Sequence, residues 1–135
     1  MNMRQCFLLT TAMVSFAATC AATEPQATGY FVQTDHETKQ DRVIDSASLD
    51  EEDICFVVKG NFTADGDHSY QLTIYDGNGR EVLQMRGTVT ADGGRWGRRS
   101  CYGMNEDRDV AGTWWYVAEL DGELLVSESL AVTAP

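Results

Sequence analysis

Proline is almost missing from this chain. It occurs twice in 135 residues, at Pro25 and Pro135, so nothing in the long stretch between them need break a β-ladder. Basic residues are scarce: 10 Lys and Arg stand against 21 Asp and Glu. That balance weighs against nucleic-acid binding, which normally needs a broad basic face, and against electrostatic attachment to anionic membranes. Histidine occurs only as His36 and His68, too few for the closely spaced ligand sets of zinc sites. No apolar run reaches the ~20 residues that span a bilayer.

What is present begins with an address. Residues 1–22 read MNMRQCFLLTTAMVSFAATCAA. Arg4 is the single charge, an apolar or small stretch follows from Cys6 to Cys20, and small residues then lead into Thr23-Glu24-Pro25. A short basic start, an apolar middle and a small-residue cut site are the order of a secretory signal peptide. Cleavage is expected after Ala22, with a lipid anchor on Cys20 as the alternative, weakened by the bulky Thr19 before it. The cut removes Arg4, Cys6 and Cys20, leaving nine basic residues against 21 acidic ones and a net charge of −12. Two cysteines remain, Cys55 and Cys101, and an exported chain with two cysteines pairs them. The expected compartment is the periplasm.

Residues 23–28 read as a short tether, and 29–135 as one domain. Seven short segments carry strand character: 29–32, 54–58, 70–75, 81–90, 95–102, 113–120 and 123–132. Asp76-Gly77-Asn78-Gly79, Asp92-Gly93-Gly94 and Asp121-Gly122 punctuate them, because Gly, Asn and Asp turn a chain cheaply. Residues 33–53 are polar with little period, and Asp50-Glu51-Glu52-Asp53 reads as a solvated loop before a strand buried on both faces. The spacing predicts an all-β sandwich of about seven antiparallel strands. In the last hairpin, Trp114, Tyr116 and Ala118 share one parity and Trp115 the other, so Trp114 is expected in the core and Trp115 outside. Leu124, Val126, Leu130 and Val132 are expected to face inward opposite them. Glu128 falls on that same parity, which asks for a bulge or an open end there.

The same hairpin carries a resemblance. Gly112-Thr113-Trp114-Trp115-Tyr116, then Asp121-Gly122-Glu123-Leu124-Leu125 and a final Leu130-Ala131-Val132, resemble the closing hairpin of bacterial exported immunoglobulin-like domains. The resemblance spans about 25 residues and implies an immunoglobulin-like fold. It implies no reaction, because that fold hosts many functions.

Chemistry is sparse. Both histidines sit in polar, loop-like stretches and no nucleophile elbow appears, so both are expected as surface polar groups. Asp65, Asp67 and the 76–79 turn offer oxygens, but calcium needs about 6–8 of them, and turns need the same residue types with no metal. Asn61-Phe62-Thr63 is formally a glycosylation sequon. No metal or cofactor is expected. The unusual stretch is Arg95-Trp96-Gly97-Arg98-Arg99, which places three of the nine mature basic residues within five positions. One reading is a partner-binding patch of Arg95, Arg98 and Arg99 beside the exposed Trp115. The other gives each arginine an internal carboxylate and puts Trp96 in the core.

The functional expectation is an exported, non-enzymatic binding module for a protein or envelope component, with an inhibitor or immunity-type protein as one form of it. The rivals are a structural accessory domain without its own ligand, and an enzyme, for which the residues of a site are missing.

Overall fold

The computed structural model describes residues 24–51 and 54–135. The expected signal peptide and the Cys20 anchor lie outside the described residues, as do Glu52 and Asp53 of the acidic run.

Among the described residues nine strands follow one another: β1 (Gln26–Thr34), β2 (Asp41–Ile44), β3 (Ser46–Ser48), β4 (Ile54–Asn61), β5 (Gly66–Tyr75), β6 (Glu81–Ala91), β7 (Trp96–Tyr102), β8 (Gly112–Leu120) and β9 (Glu123–Thr133). No helix occurs among the described residues. One sheet has the order β2-β1-β4-β7, the other β3-β9-β8-β5-β6. The first and second strands of the β4–β7 and β5–β8 pairings are distant in sequence, so the sandwich is stitched by long-range ladders rather than by hairpins alone. The arrangement β1-β4-β7 facing β9-β8-β5-β6 matches the A-B-E and G-F-C-C′ sheets of an immunoglobulin-like sandwich.

The strand count corrects the expected seven. The two additional strands lie in the polar stretch 33–53. β2 pairs with β1 at the sheet edge, and β3 runs parallel to β9 on the opposite sheet. Only one residue, Asp45, separates them, so the chain switches sheets there and closes that side of the sandwich. These strands carry no hydrophobic alternation because three of the four β2 residues are exposed and only Ala47 of β3 is buried. β1 also starts earlier than expected. Gln26, Ala27 and Thr28 pair with Asn61, Gly60 and Lys59, which takes them out of the tether and into the sheet.

The core follows the alternation of the long strands. Phe31 and Phe56 of the first sheet meet Tyr116 of the second, with ring centroids 4.8 to 5.3 Å apart. Such contacts add about 0.5–1.5 kcal/mol per pair beyond area burial. Trp114, Leu72, Ile74, Ala118 and Leu130 complete the centre, all fully buried. Trp115 on the opposite parity is 46% exposed. Cys55 and Cys101 are bonded, with their Cα atoms 3.9 Å apart. They are cross-strand partners on β4 and β7 within one sheet. In antibody domains the bridge joins the two sheets instead.

Two details of the β8–β9 hairpin differ from expectation. The bulge is not at Glu128. The register shifts where Ala118 faces Val126 but Glu119 faces Leu124, so Leu125 is the extra residue. Leu124 thereby shares the outward face of Glu119 and is 64% exposed. Glu128 stays opposite Tyr116 on the inward parity and is half-buried. Its Cγ lies 3.4 Å from where a Gly29 Cβ would stand, so the missing side chain at Gly29 gives it room.

Candidate functional site

The residues of the expected patch do not form one surface. Arg98 points inward from β7, and its guanidinium lies 5.6 Å from the centroid of Tyr70 in the facing sheet. It also donates to the Thr88 carbonyl at 3.4 Å. Burial pushes the Tyr70 hydroxyl up to about 12, and the Arg98 charge acts in the opposite direction. Arg99, one residue on, points outward, as alternation requires, and pairs with Asp41 at 2.6 Å. Trp115 stands on the outer face of the other sheet, between its cross-strand neighbours Tyr75 and Ser129. Trp96 is buried at 7% exposure, donates to Thr63 Oγ1 at 3.1 Å and meets the Tyr70 ring edge-on. The stretch 95–99 therefore splits between core, inter-sheet gap and outer face. Arg95 alone keeps a free side chain.

The other cations sort the same way. Arg42 donates to Gln33, Arg86 to Gln71 and Gln84, Arg108 to Asp109 and the Gly103 carbonyl, and Arg80 lies 3.3 Å from Asp76. Lys39, Lys59 and Arg95 are left with no side-chain partner among the described residues. Two of these three, Lys59 and Arg95, line the same cleft.

That cleft, of about 570 Å³, opens at one end of the sandwich. Its walls are residues 25–28 at the start of β1, residues 59–61 at the end of β4, Arg95 and Leu125. Gly60 decides its floor. A Cβ at Gly60 would stand 2.0 Å from the Trp96 indole nitrogen, so only glycine lets the ring lie across β4 here. Arg95 is held by two backbone bonds to Asp92, and the preceding Gly94 donates to Asp65 Oδ1 at 3.1 Å. Both cations thus project from fixed backbone.

Two exposed apolar side chains border the cleft in sequence. Leu124 precedes the lining Leu125. Phe62 follows the lining Asn61, is 48% exposed and has a φ of 55°. A bulky residue in the left-handed region is held there by its surroundings, and such positions cluster at ligand clamps and active sites. Here Asn61 Oδ1 accepts from the Phe62 N–H at 2.9 Å, and Thr63 N–H bonds the Gly94 carbonyl. The sequon threonine is itself 5% exposed and occupied by Trp96.

The histidine and acidic turns serve the fold. His68 Nδ1 is 2.6 Å from Asp121 Oδ2, and Nε2 faces the Ala64 carbonyl. Both ring nitrogens are occupied, so neither is placed to take a proton from a nucleophile. Its pKa is raised, first by the Asp121 hydrogen bond. Asp65, Asp67 and Asp76 bond Gly94 N–H, Thr90 Oγ1, and the N–H groups of Asn78 and Arg80. No group of three or more His, Cys, Asp or Glu is placed to hold a metal among the described residues.

Nothing in the sequence singles out Lys59 or Leu125. Lys59 is a lone lysine in a buried strand, and only the pairing of β4 with β1 and β7 brings it to the end that Arg95 occupies.

No family model matches the chain, and no curated protein matches it. Among solved structures it is similar to the CARDB domain of a Pyrococcus furiosus protein in complex with di-metal ions. That likeness covers 82% of this chain and 96% of the other at 10% identity, with a TM-score of 0.46. It is also similar to the alkylpurine DNA glycosylase AlkC of Pseudomonas fluorescens, bound to DNA containing an abasic site analog, at 15% identity and a TM-score of 0.50. The match covers 90% of this chain but spans about a third (34%) of the glycosylase's length, and it shows a shared fold alone.

Proposed function

We propose that this chain is an exported, non-enzymatic binding module that meets a protein or envelope component through the cleft end of the sandwich. The observation that carries the reading is a coincidence at that end. Phe62 and Leu124, two large exposed apolar side chains, are the chain neighbours of Asn61 and Leu125, which line a cleft together with Lys59 and Arg95. Aromatic residues and arginine are enriched at contacts between proteins, and exposed apolar groups rimmed by polar ones mark interaction sites. The cations also stand out against a surface that otherwise repels anions. Export to the periplasm is supported by the Cys55–Cys101 bond, which persists in oxidising compartments. No helix among the described residues is long and apolar enough to cross a membrane. In the inhibitor or immunity-type form of the reading, the same end docks on the target enzyme.

The test is capture from periplasmic extract by the immobilised protein, washed at rising salt. Phe62→Ser with Leu124→Ser should abolish capture of a discrete partner while the circular dichroism spectrum stays that of the parent. Trp115→Ser, on a different face, should leave capture intact. Capture lost with Trp115→Ser and retained by the double variant would move the contact surface to the outer face of β8.

A further inference from the structure

We infer that the cleft is a recognition site for a carboxylate carried by an extended polypeptide, an acidic residue with an aliphatic neighbour. This inference rests on the binding-module reading and names the ligand chemistry of its cleft.

Charge comes first. The mature chain expected from the sequence carries −12, so a free anion is repelled over most of its surface. Among the described residues every arginine but one is engaged internally, and the exception, Arg95, shares its cleft with Lys59. A guanidinium offers a planar fork that matches a carboxylate, and an ammonium adds a point charge beside it. Preorganisation comes second. Arg95 is fixed by its backbone bonds to Asp92, and Lys59 belongs to the central strand β4 with partners on both sides. Ordering the two cations costs less than it would on a mobile loop. The rest of the lining then selects for polypeptide. Ala27 and Leu125 supply apolar surface for an aliphatic side chain, and Gln26 and Asn61 supply side-chain amides that can bond a backbone. A site for a bare inorganic anion has no use for the leucine.

Three probes test this by calorimetry and by amide chemical shifts of the isotopically labelled protein. The first is a blocked hexapeptide with two adjacent glutamates followed by leucine, the second its glutamine counterpart, the third inorganic phosphate. The acidic peptide should bind, with shifts concentrated at residues 26–28, 59–61 and 125. The glutamine peptide should bind at least about tenfold more weakly, the scale of a lost charge-assisted hydrogen bond. Lys59→Gln with Arg95→Gln should erase that preference, while Arg86→Gln, on another strand, should preserve it. Equal binding of the acidic and glutamine peptides would overturn the inference. So would binding of phosphate at the same residues without binding of the acidic peptide, and the ligand would then be a phosphate. Capture by the Phe62 and Leu124 surface can persist when the peptide experiment fails, so the two failures are distinguishable.

Discussion

Arg99 of β7 reaches Asp41 of β2 at 2.6 Å, although the sheet order puts β4 and β1 between them. Its guanidinium lies across the outer face, taking both Asp41 oxygens and the Thr34 hydroxyl. The pair is roughly half exposed, so its net contribution to global stability is small. Its effect is local. Asp41 belongs to a four-residue edge strand whose own burial cannot hold it. Hydrogen bonds from Arg99, then from Thr34, lower the Asp41 pKa. Arg99→Ala should therefore speed amide exchange in residues 41–44 while the unfolding midpoint hardly moves. The lowered Asp41 pKa means the contact is present above the ordinary carboxylate range and lost as pH falls through the folded value. Protection of the β2 amides, relative to their intrinsic exchange at each pH, should fall in that acid window in the parent and should not change there in the variant. Equal exchange in both proteins at neutral pH would show that Arg99 does not hold the edge.

Trp114 and Trp115 provide the second prediction. Trp114 is fully buried and donates to the Val110 carbonyl at 2.8 Å, while Trp115 is 46% exposed. Trp114→Ala should cost about 3–5 kcal/mol, the usual range for a buried large aromatic. Trp115→Ala should cost far less. Urea unfolding of both variants, with similar m-values, is the measurement. Similar losses in both would contradict the separation into inner and outer faces.

That separation was legible in the sequence because a strand alternates with a strict period of two and Trp114, Tyr116 and Ala118 define the inner parity. The turns at 76–79, 92–94 and 121–122 were legible for the same local reason: Asp, Asn and Gly accept the required backbone angles. Topology decided everything else. β2 and β3 exist because β1 and β9 offer them edges, not because residues 41–48 alternate. Arg98 and Arg99 are adjacent in sequence and face opposite ways, one to Tyr70 across the gap and the other to Asp41 three strands away. No local pattern names those partners. The cleft is illegible by the same argument, since Lys59, Arg95 and Leu125 meet only when three ladders have formed. Leu124 was misplaced because one extra residue, Leu125, reverses the parity of what precedes it.

His68 supplies a pH-dependent clamp between the β4–β5 loop and the β8–β9 turn. Both acceptors, Asp121 and the Ala64 carbonyl, are satisfied together only by the doubly protonated ring. Asp67 is the other charge acting on it. Because the folded pKa is raised above the ordinary 6.5, the stabilisation is complete below the unfolded value and fades as pH rises through the folded one. Asp121 has the opposite sign: its pKa is lowered, first by His68, so its share is lost as pH falls through its folded value. The clamp is strongest between the ordinary carboxylate and histidine ranges. His68→Gln should flatten stability against pH on the alkaline side, measured as the urea midpoint from pH 6 to 9. An unchanged profile would remove His68 from the account.

The last prediction concerns the Cys55–Cys101 bond. It joins neighbours that the β4–β7 ladder already places opposite each other, so breaking it leaves the register to the backbone bonds and to Phe56, Val58 and Trp96 on the inner face. Its contribution is therefore mainly to the unfolded chain, where it closes a loop across 46 positions. The chain-entropy estimate for such a loop is about 4 kcal/mol. Cys55→Ala with Cys101→Ala should lower unfolding stability by up to that amount, and reduction of the parent should match it. The folded variant should keep the parent's near-ultraviolet circular dichroism, because Trp96 and Trp114 pack on the inner faces of the sheets while alternation puts Cys55 and Cys101 on the opposite face of theirs from Phe56 and Val58. A spectrum that collapses before the denaturation midpoint would show that the bond shapes the native sheet itself. The site experiments would then have to be run with the disulfide intact, since Lys59 and Arg95 are positioned by the same two strands.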